Sequence, residues 1–347
     1  MKKRFASSID VARLAGVSQS TVSRALRNDP SVAKKSYEKV MAAAKELGYR
    51  PSLLPKIMLT QQSRLIALVI GGLHNPYYAH VIQRFTDEFQ KLNCGMLLMQ
   101  VDNNDAIDDM VPMLSGYRVD AVISALPILS DQAAEQLASL RIPVISFNNN
   151  LFRPEIHSVG GDGIDAGRRV ARHLIDQGAS RLAFFGGPEN NPANVSRRTG
   201  FTDEASRMGQ EVQVSHADFT YEGGVTLTKA AFDQPGVPDA VFCANDLIAI
   251  GLMDTLRRFP GLTLPSRIRI VGYDDVPQSS WAPYQLSSVR QDTEGIIEHI
   301  ASVLRSFYQT EEPPLKADIL RRGKLITRRS SVSGFTPEWF RFQSGID

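Results

Sequence analysis

The chain is poor in the residues and segments on which disulfide-bonded, metal-binding and membrane proteins depend. Its 347 residues include only two cysteines, Cys94 and Cys243, each inside an apolar segment. This predicts buried free thiols and argues against a disulfide or a metal site. No apolar run is long enough to span a bilayer, and no secretory apolar segment follows Met1. The sequence therefore predicts a cytoplasmic protein without a membrane partner.

The motifs of common enzyme classes are also missing. The sequence contains no GxGxxG after a strand, no GxxxxGK[ST], no HExxH and no GxSxG. Its six histidines show no metal-ligand spacing. These absences favour a protein that is not an enzyme and that uses no cofactor.

The small net charge of +2 hides an uneven distribution. Residues 1–56 hold twelve lysines and arginines against four acidic residues, a net charge of +8, which leaves −6 for residues 57–347. A small basic segment joined to a mildly acidic remainder predicts a polyanionic partner for the first segment alone.

The segment from Ser7 to Arg27 has the pattern of two short helices separated by a tight turn. Ser7 and Asp10 form a capping box, Gly16 ends the first helix, and Ser18 caps the second. Apolar residues at helical spacing predict the buried face of this pair. They are Val11, Ala12 and Ala15 in the first helix and Val22, Ala25 and Leu26 in the second.

The opposite face of the second helix carries amide, hydroxyl and guanidinium groups. These groups belong to Gln19, Ser20, Ser23, Arg24 and Arg27. Such groups read base edges and hold phosphates when a helix lies in the major groove. An ordinary solvated helix face is the alternative.

Two further segments complete the N-terminal region. Residues 34–47 predict a third helix with Val40, Ala43, Ala44 and Leu47 on one face. Residues 50–62 form a linker in which Ser52 can cap a short apolar helix. An apolar linker that rests on the next domain is the alternative.

Beyond residue 64, short apolar runs alternate with helical stretches. The runs lie at 65–70, 95–101, 120–126, 143–147, 181–187, 211–219, 239–245 and 267–275. Near-continuous apolar runs are typical of buried parallel strands. Two successive series of this kind predict two doubly wound lobes, with ligands bound beyond the carboxyl ends of the strands.

These segments resemble the LacI/GalR family of bacterial transcription regulators. The resemblance reaches about residue 330 and is carried by DVARLAGVSQSTVSRAL, Val32, ELGYRP (46–51), NPYY (75–78), residues 158–188, RRTGF (197–201), AND (244–246), VGYDD (271–275) and VRQD (289–292). It implies an all-α helix-turn-helix headpiece and an α/β core like that of periplasmic binding proteins, built from two doubly wound parallel-sheet lobes.

The resemblance also implies a division of the chain. The expected parts are a headpiece at 1–50, a hinge helix or linker at 51–62, an effector-binding and dimerisation core at 63–330, and a tail at 331–347. Within the core, the N-lobe is expected at about 63–160 and 290–320, and the C-lobe at about 161–289 and 321–330. The tail has no leucine heptad, which argues against a tetramerising coiled coil.

Family positions imply the residues that contact DNA. They are Ser7, Ser18, Gln19, Ser20, Thr21, Ser23, Arg24, Arg27, Ser36, Tyr49, Ser52 and Met58. Met58 stands where family members insert an apolar side chain into the minor groove. The sequence departs from the family at Ser8, Ala33, Tyr37 and Pro55. Ala33 implies a weaker cap for the third helix, and Pro55 disfavours helical geometry at the preceding residue.

Family positions likewise imply an effector site. Its expected members are Tyr77, Tyr78, Asn148, Arg197, Phe219, Asn245, Asp274 and Gln291. Paired donors and acceptors together with aromatic faces suit a polyhydroxylated ring. Read one at a time, each of these residues has a structural role as its alternative. Asn148 replaces the aspartate that is common in the family.

The sequence thus predicts a homodimeric, ligand-responsive transcription regulator, a repressor, that binds palindromic operator DNA. The predicted effector is a sugar, a sugar acid or a sugar phosphate. Two other classes are weighed against it. A solute-binding protein would need an export signal and no basic headpiece, and a sugar-processing enzyme would need a catalytic base.

Overall fold

The structure is a computed structural model that describes residues 6–50, 62–101, 110–126, 130–139, 141–147, 156–233, 236–258, 265–310, 312 and 317–332. The chain forms two compact units, Met1–Ser63 and Arg64–Asp347. No helix among the described residues is long and apolar enough to cross a membrane.

Three helices make up the described part of the first unit: α1 (Ser8–Ala15), α2 (Gln19–Leu26) and α3 (Lys34–Glu46). The predicted capping box is present, because the Ser7 hydroxyl accepts from the Asp10 amide and the Asp10 carboxylate accepts from the Ser7 amide. Gly16 ends α1 in the left-handed region at φ 66°, where a side chain would be strained. Ser18 caps α2. As Ala33 predicts, α3 begins without a side-chain cap.

The three helices share one small apolar core. Its buried members are Val11, Ala12, Ala15, Val22, Ala25, Val40, Ala43 and Ala44. Small side chains dominate it, so the helices approach closely. The prediction is wrong for Leu47, which is the C-cap of α3 and remains 37% exposed. Leu26 is half-buried.

The first sheet of the second unit has the strand order β11-β5-β4-β3-β1-β2, and all its neighbouring strands are parallel. Its strands are β1 (Leu65–Gly71), β2 (Gly95–Val101), β3 (Ala121–Ser124), β4 (Val144–Phe147), β5 (His157–Gly161) and β11 (Asp318–Arg321). β3 and β4 are buried along their whole length, as their apolar runs predict. β5 is equally buried, although no apolar run is predicted there.

The second sheet has the order β12-β10-β9-β8-β6-β7. Its strands are β6 (Leu182–Gly186), β7 (Val212–His216), β8 (Ala240–Cys243), β9 (Arg269–Tyr273), β10 (Ser287–Arg290) and β12 (Lys324–Ile326). Only the β10–β12 pair is antiparallel among the described pairs. β7 is shorter than the apolar run at 211–219, since residues 217–220 form the loop after it.

Eight helices flank the two sheets in the described residues. They are α4 (Pro76–Lys91), α5 (Val111–Tyr117), α6 (Asp131–Ser139), α7 (Gly163–Asp176), α8 (Pro192–Arg207), α9 (Tyr221–Phe232), α10 (Asp246–Leu256) and α11 (Thr293–Thr310). The first lobe consists of the first sheet with α4, α5, α6 and α11, and the second lobe consists of the second sheet with α7 to α10.

The chain passes between the two sheets three times, after β5, after β10 and after β11. β5 ends at Gly161, where a Cβ atom would lie 3.1 Å from both Gln291 Oε1 and the Tyr273 hydroxyl. Glycine therefore allows the first lobe to approach Tyr273 of the second lobe closely. Cys94 and Cys243 are both buried and free, as predicted.

Candidate functional site

The first candidate site is the outer face of α2. Gln19, Ser20, Arg24 and Arg27 are exposed, and Thr21 and Ser23 are partly exposed. Val22 and Ala25 on the other side of the helix are fully buried. The helix thus presents an amide, hydroxyls and two guanidinium groups to solvent, which is the chemistry that base edges and phosphates require.

Hydrogen bonds within the headpiece fix the start of α2. The Gln19 Nε2 atom donates to the Ser8 hydroxyl at 2.9 Å, so the amide is held by the beginning of α1. The Ser18 hydroxyl lies 2.8 Å from the hydroxyls of both Ser20 and Thr21. These hydrogen bonds restrict the rotamers of the side chains, and a restricted side chain loses less entropy on binding.

The remaining predicted DNA contacts are more scattered. Ser7 is exposed at the start of α1, whereas Ser36 and Tyr49 are half-buried. Ser52 and Met58, together with Pro55, lie outside the described residues. Tyr37, which departs from the family pattern, donates its hydroxyl to Asn28 Oδ1 at 3.1 Å. It supports the turn between α2 and α3, where Asn28 has φ 57°.

The second candidate site lies between the two lobes and is centred on Asp274. This residue follows β9 and has a positive φ of 109°. Its Oδ2 accepts from Asn75 Nδ2 at 3.0 Å and its Oδ1 accepts from Gln291 Nε2 at 2.9 Å. Burial raises the pKa of the Asp274 carboxyl, while the Arg197 guanidinium and the two amides favour its charged form.

The orientation of the Asn75 amide follows from its second role. Asn75 caps α4, because its Oδ1 accepts from the Tyr77 amide at 3.0 Å. An oxygen that accepts there leaves the NH₂ group to face Asp274, which fixes the direction of the hydrogen bond across the cleft.

Arg197 is buried beside Asp274. Its Cζ atom lies 3.6 Å from the centre of the Tyr273 ring, and its Nη1 donates to the Ala244 carbonyl at 2.6 Å. Since RRTGF follows the predicted strand at 181–187 after a loop, the sequence predicts that Arg197 opens the next helix, but α8 begins at Pro192 with Asn191 as its cap. Arg197 therefore lies in the second turn of α8, and this part of the prediction is wrong.

Close packing of α7 against α8 positions Arg197. A Cβ atom on Gly200 would lie 2.1 Å from the Ile164 carbonyl oxygen, and one on Gly167 would lie 2.4 Å from the Arg197 carbonyl oxygen. The two glycines let the helix backbones touch, so the glycine in RRTGF has a packing role.

Asn245 and Phe219 form the next part of the cleft. Asn245 caps α10 by accepting from the Ile248 amide at 2.9 Å, and its Nδ2 donates to the Phe219 carbonyl at 3.1 Å. The same carbonyl lies 3.4 Å from Nε2 of His74 in the first lobe. The Phe219 ring packs over Gly187, where a Cβ atom would lie 2.4 Å from the ring. Asn245 thus has a structural role, which is the alternative that the sequence left open. The second hydrogen of its Nδ2 group takes no part in these two bonds.

The first lobe contributes aromatic groups. Tyr77 and Tyr78 open α4 with their ring centres 5.5 Å apart in an edge-on arrangement. The Thr293 hydroxyl donates to the buried Tyr77 hydroxyl at 3.4 Å. Burial, followed by the nearby Asp274, raises the pKa of Tyr78 to about 12, so its hydroxyl remains a donor at neutral pH.

Gln291 completes the ring of polar groups around Asp274. It is 4% exposed, and its Oε1 has no hydrogen-bond partner among the residues that the structure describes. A buried acceptor without a partner is costly unless a bound group supplies the donor. Asn148, the remaining predicted member, lies outside the described residues.

The buried carboxyl group of Asp246 holds the Asp274 loop in place. Asp246 Oδ2 accepts from the Val276 amide at 2.8 Å and from the Ser279 hydroxyl at 2.7 Å. Its Oδ1 accepts from the Ser288 hydroxyl at 2.6 Å. Asp275, at φ 52°, is clamped by Arg328 at 2.7 Å. These bonds stabilise two successive residues with positive φ.

Several members of the cleft are not predicted from the sequence. Asn75 and Tyr273 lie inside the motifs NPYY and VGYDD, but only contacts in three dimensions reveal their roles. For Asn75 a signal exists, since an asparagine before proline marks a helix start beside a strand end. For Asp246, whose neighbours are 30 to 42 residues away in sequence, local sequence carries no such signal.

One chain combines a helix-turn-helix unit with a two-lobed α/β unit that has a polar cleft. This combination defines the class of protein as a ligand-responsive DNA-binding regulator. The family described as bacterial regulatory proteins, lacI family, matches residues 9–52. A periplasmic binding protein-like domain matches residues 171–331.

Individual relatives agree with this class. The chain is 30% identical over 315 residues to the HTH-type transcriptional regulator CelR of Thermobifida fusca. This match covers 87% of this chain and 92% of CelR. It is 29% identical over 293 residues to the HTH-type transcriptional repressor CytR of Escherichia coli K12. This match covers 81% of this chain and 84% of CytR.

Two solved structures are similar over most of the chain. One is the lac repressor dimer bound to operator and the anti-inducer ONPF, with a TM-score of 0.84, 26% identity, and coverage of 95% of this chain and 100% of that one. The other is a CelR–cellobiose complex, with a TM-score of 0.69, 28% identity, and coverage of 94% and 99%. The chain belongs to the lacI family of bacterial regulatory proteins, and it is a DNA-binding transcriptional regulator.

Proposed function

We propose that this regulator is a cytoplasmic, homodimeric repressor whose affinity for a palindromic operator is controlled by a sugar or sugar derivative bound between the two lobes. It performs no catalysis. The repressor direction is supported by the names of CytR and of the lac repressor, and the sugar class by the CelR–cellobiose complex. The dimer is supported by the operator-bound lac repressor dimer.

The observation that carries the effector proposal is the buried polar ring around Asp274. Asp274 can accept from sugar hydroxyls, Arg197 can donate to them, and Gln291 Oε1 offers an acceptor without a partner among the described residues. Phe219 and Tyr78 belong to the same cleft, and aromatic rings suit the C–H face of a sugar ring. Asn148 is proposed as a further contact from its sequence position.

The DNA-binding proposal assigns roles to the headpiece residues. Gln19, Ser20 and Arg24 contact base edges from the exposed face of α2. Phosphate contacts come from the rest of the predicted set, namely Ser7, Ser18, Thr21, Ser23, Arg27, Ser36, Tyr49 and Ser52. Two headpieces of a dimer then read two half-sites of a near-palindrome. Met58 is proposed as a minor-groove wedge on the basis of its sequence position alone.

A thermal-shift screen tests the effector site. The full chain is heated with cellobiose, glucose, gluconate and glucose 6-phosphate, which represent sugars, sugar acids and sugar phosphates. A ligand at about 100 times its Kd stabilises the folded state by about 2.7 kcal/mol. Asp274→Asn should need about ten- to a hundredfold more of the same ligand, because it loses a charge-assisted hydrogen bond.

Asp254→Asn is the matched control. Asp254 is a C-lobe carboxylate that accepts from the Tyr221 and Tyr284 hydroxyls, each at 3.2 Å, and it has no part in the Asp274 ring. This variant should bind ligand like the parent. The proposal fails if none of the three ligand classes stabilises the parent, or if Asp274→Asn responds at parental concentrations.

A further inference from the structure

The chain enters the core at Arg64, two residues after the predicted linker ends, and several contacts hold this residue in place. Arg64 has a positive φ of 58°. Its amide donates to Asp120 Oδ2 at 2.9 Å, and its carbonyl accepts from the Gly95 amide at 2.7 Å. Its Cζ atom lies 4.2 Å from the centre of the Tyr308 ring. A non-glycine residue keeps this conformation only where its surroundings enforce it.

One carboxylate oxygen joins Arg64 to the end of α11. Asp120 is buried, and the oxygen that accepts from the Arg64 amide also accepts from the Tyr308 hydroxyl at 3.1 Å. Burial, followed by the nearby Cys94 and Asp120, raises the pKa of Tyr308, so its hydroxyl keeps the proton that it donates. The Asp120 amide in turn donates to the Leu65 carbonyl at 2.8 Å.

The other end of α11 lies at the cleft. The helix starts at Thr293, two residues after Gln291, and the Thr293 hydroxyl contacts Tyr77. Its 18 residues span about 27 Å. Ile296, Ile297, Ile300 and Leu304 are buried along its inner face. A continuous helix seated on a packed core moves as a rigid element, so its two ends are mechanically connected.

We propose that Arg64, Asp120 and Tyr308 form a linker clamp, which fixes the point where the chain passes from the end of the linker into the lobe that carries α11 and so sets operator affinity. The three are positioning residues, since none belongs to the headpiece or to the Asp274 ring. This inference rests on the proposed function. When the clamp is loosened, the backbone at Arg64 is less restricted, and more conformational entropy is lost when the complex with DNA forms.

Tyr308→Phe tests the clamp in the full chain. The substitution removes the hydroxyl that bonds to Asp120 and keeps the ring beneath Arg64. Operator affinity is measured on a palindromic duplex that the parent protein has selected from a random pool, with no sugar present. The expected result is a Kd about tenfold higher than that of the parent. Asp120→Asn should act in the same direction, and the double variant should bind no more weakly than the more affected single variant.

Tyr284→Phe is the matched control. In the second lobe, the Tyr284 hydroxyl bonds to Asp254 at 3.2 Å and Arg257 lies 5.2 Å from its ring centre, so the same three residue types meet away from the linker. This variant should keep parental operator affinity. Its melting temperature should change by about as much as that of Tyr308→Phe. A purely structural role for Tyr308 would lower its melting temperature and leave operator affinity unchanged.

The outcomes separate the two proposals. If the parent selects a sequence and Tyr308→Phe binds it with parental affinity, the clamp is overturned and the regulator proposal stands. If the parent selects no sequence from the pool, the proposed function itself fails, and the clamp fails with it.

Discussion

Asn75 and Asp274 belong to different lobes, yet a hydrogen bond of 3.0 Å joins Asn75 Nδ2 to Asp274 Oδ2. The bond is buried, and the capping role of Asn75 fixes its direction. Together with the contact between His74 and the Phe219 carbonyl, it links the two lobes. A sugar that bonds to Asp274 therefore contacts a carboxylate that already links the two lobes. Asp274 thus takes part both in ligand binding and in the arrangement of the lobes.

A double-mutant cycle measures this link. Asn75→Ser keeps a good helix cap but is too short to reach Asp274, and Asp274→Asn removes the charge while tolerating positive φ. We expect a coupling of about 1.5–3 kcal/mol in the free energy of unfolding, the range for a hydrogen bond to a charged group. Denaturant unfolding of the four proteins gives the value.

Asn191→Ser provides the control for this cycle. Asn191 caps α8 by accepting from the amides of Ala193 and Asn194, without a bond to the other lobe among its described contacts. Its effect should add to that of Asp274→Asn within about 0.5 kcal/mol. Additivity in the Asn75 cycle as well would show that the bond across the cleft contributes nothing to stability.

Gln19→Ala should change which operator is preferred. Its exposed amide lies at the start of α2, and each lost base contact costs about 1–3 kcal/mol of discrimination. Selection from a random pool by parent and variant measures the change. Gln90→Ala, at an exposed position of α4, should select the parental sequence. A uniform loss of affinity on all sequences would mean that Gln19 does not read bases.

The headpiece is largely predictable because its signals are local. Ser7, Gly16 and Ser18 each act within four residues of their own position, and the apolar spacing of α1 and α2 needs no distant partner. The two-lobed core is also predictable, since buried parallel strands leave continuous apolar runs. Leu47 is misassigned because periodicity continues through the last residue of a helix, whereas packing ends earlier.

The cleft is predicted only in part, because its geometry depends on contacts between distant residues. Strand ends place Asp274 and Asn245 correctly, but the start of α8 is missed, although Asn191 and Pro192 form a clear start signal. The bond between Asn75 and Asp274 spans 199 residues, and no local pattern encodes it. The same holds for Asp120 and Tyr308, which are 188 residues apart.

The contribution of Asp246 to the stability of the core should fall as pH rises from about 4 to about 8. Burial raises the pKa of Asp246 from 3.8 to about 8, so the folded protein keeps a proton that the unfolded chain releases in this window. Stability falls wherever the folded state binds more protons than the unfolded state. Burial also raises the pKa of Asp274, which acts in the same direction.

Asp246→Asn isolates the contribution of Asp246, because its amide cannot titrate. The denaturant midpoints of parent and variant are measured at about pH 5 and about pH 8, which gives the slope of stability against pH for each protein. The slope should be flatter for the variant. The comparison uses slopes, so a general loss of stability in the variant does not affect it. Equal slopes would place the pKa of folded Asp246 near its ordinary value.

The most direct test of a ligand-controlled DNA-binding protein is reciprocal linkage in the full chain. Operator Kd is measured with and without a saturating sugar from the thermal-shift screen, and the Kd of that sugar is measured with and without operator. If one conformational equilibrium couples the two sites, both ratios have the same value and differ from one. A sugar that binds at the Asp274 ring and leaves operator affinity unchanged would contradict the account.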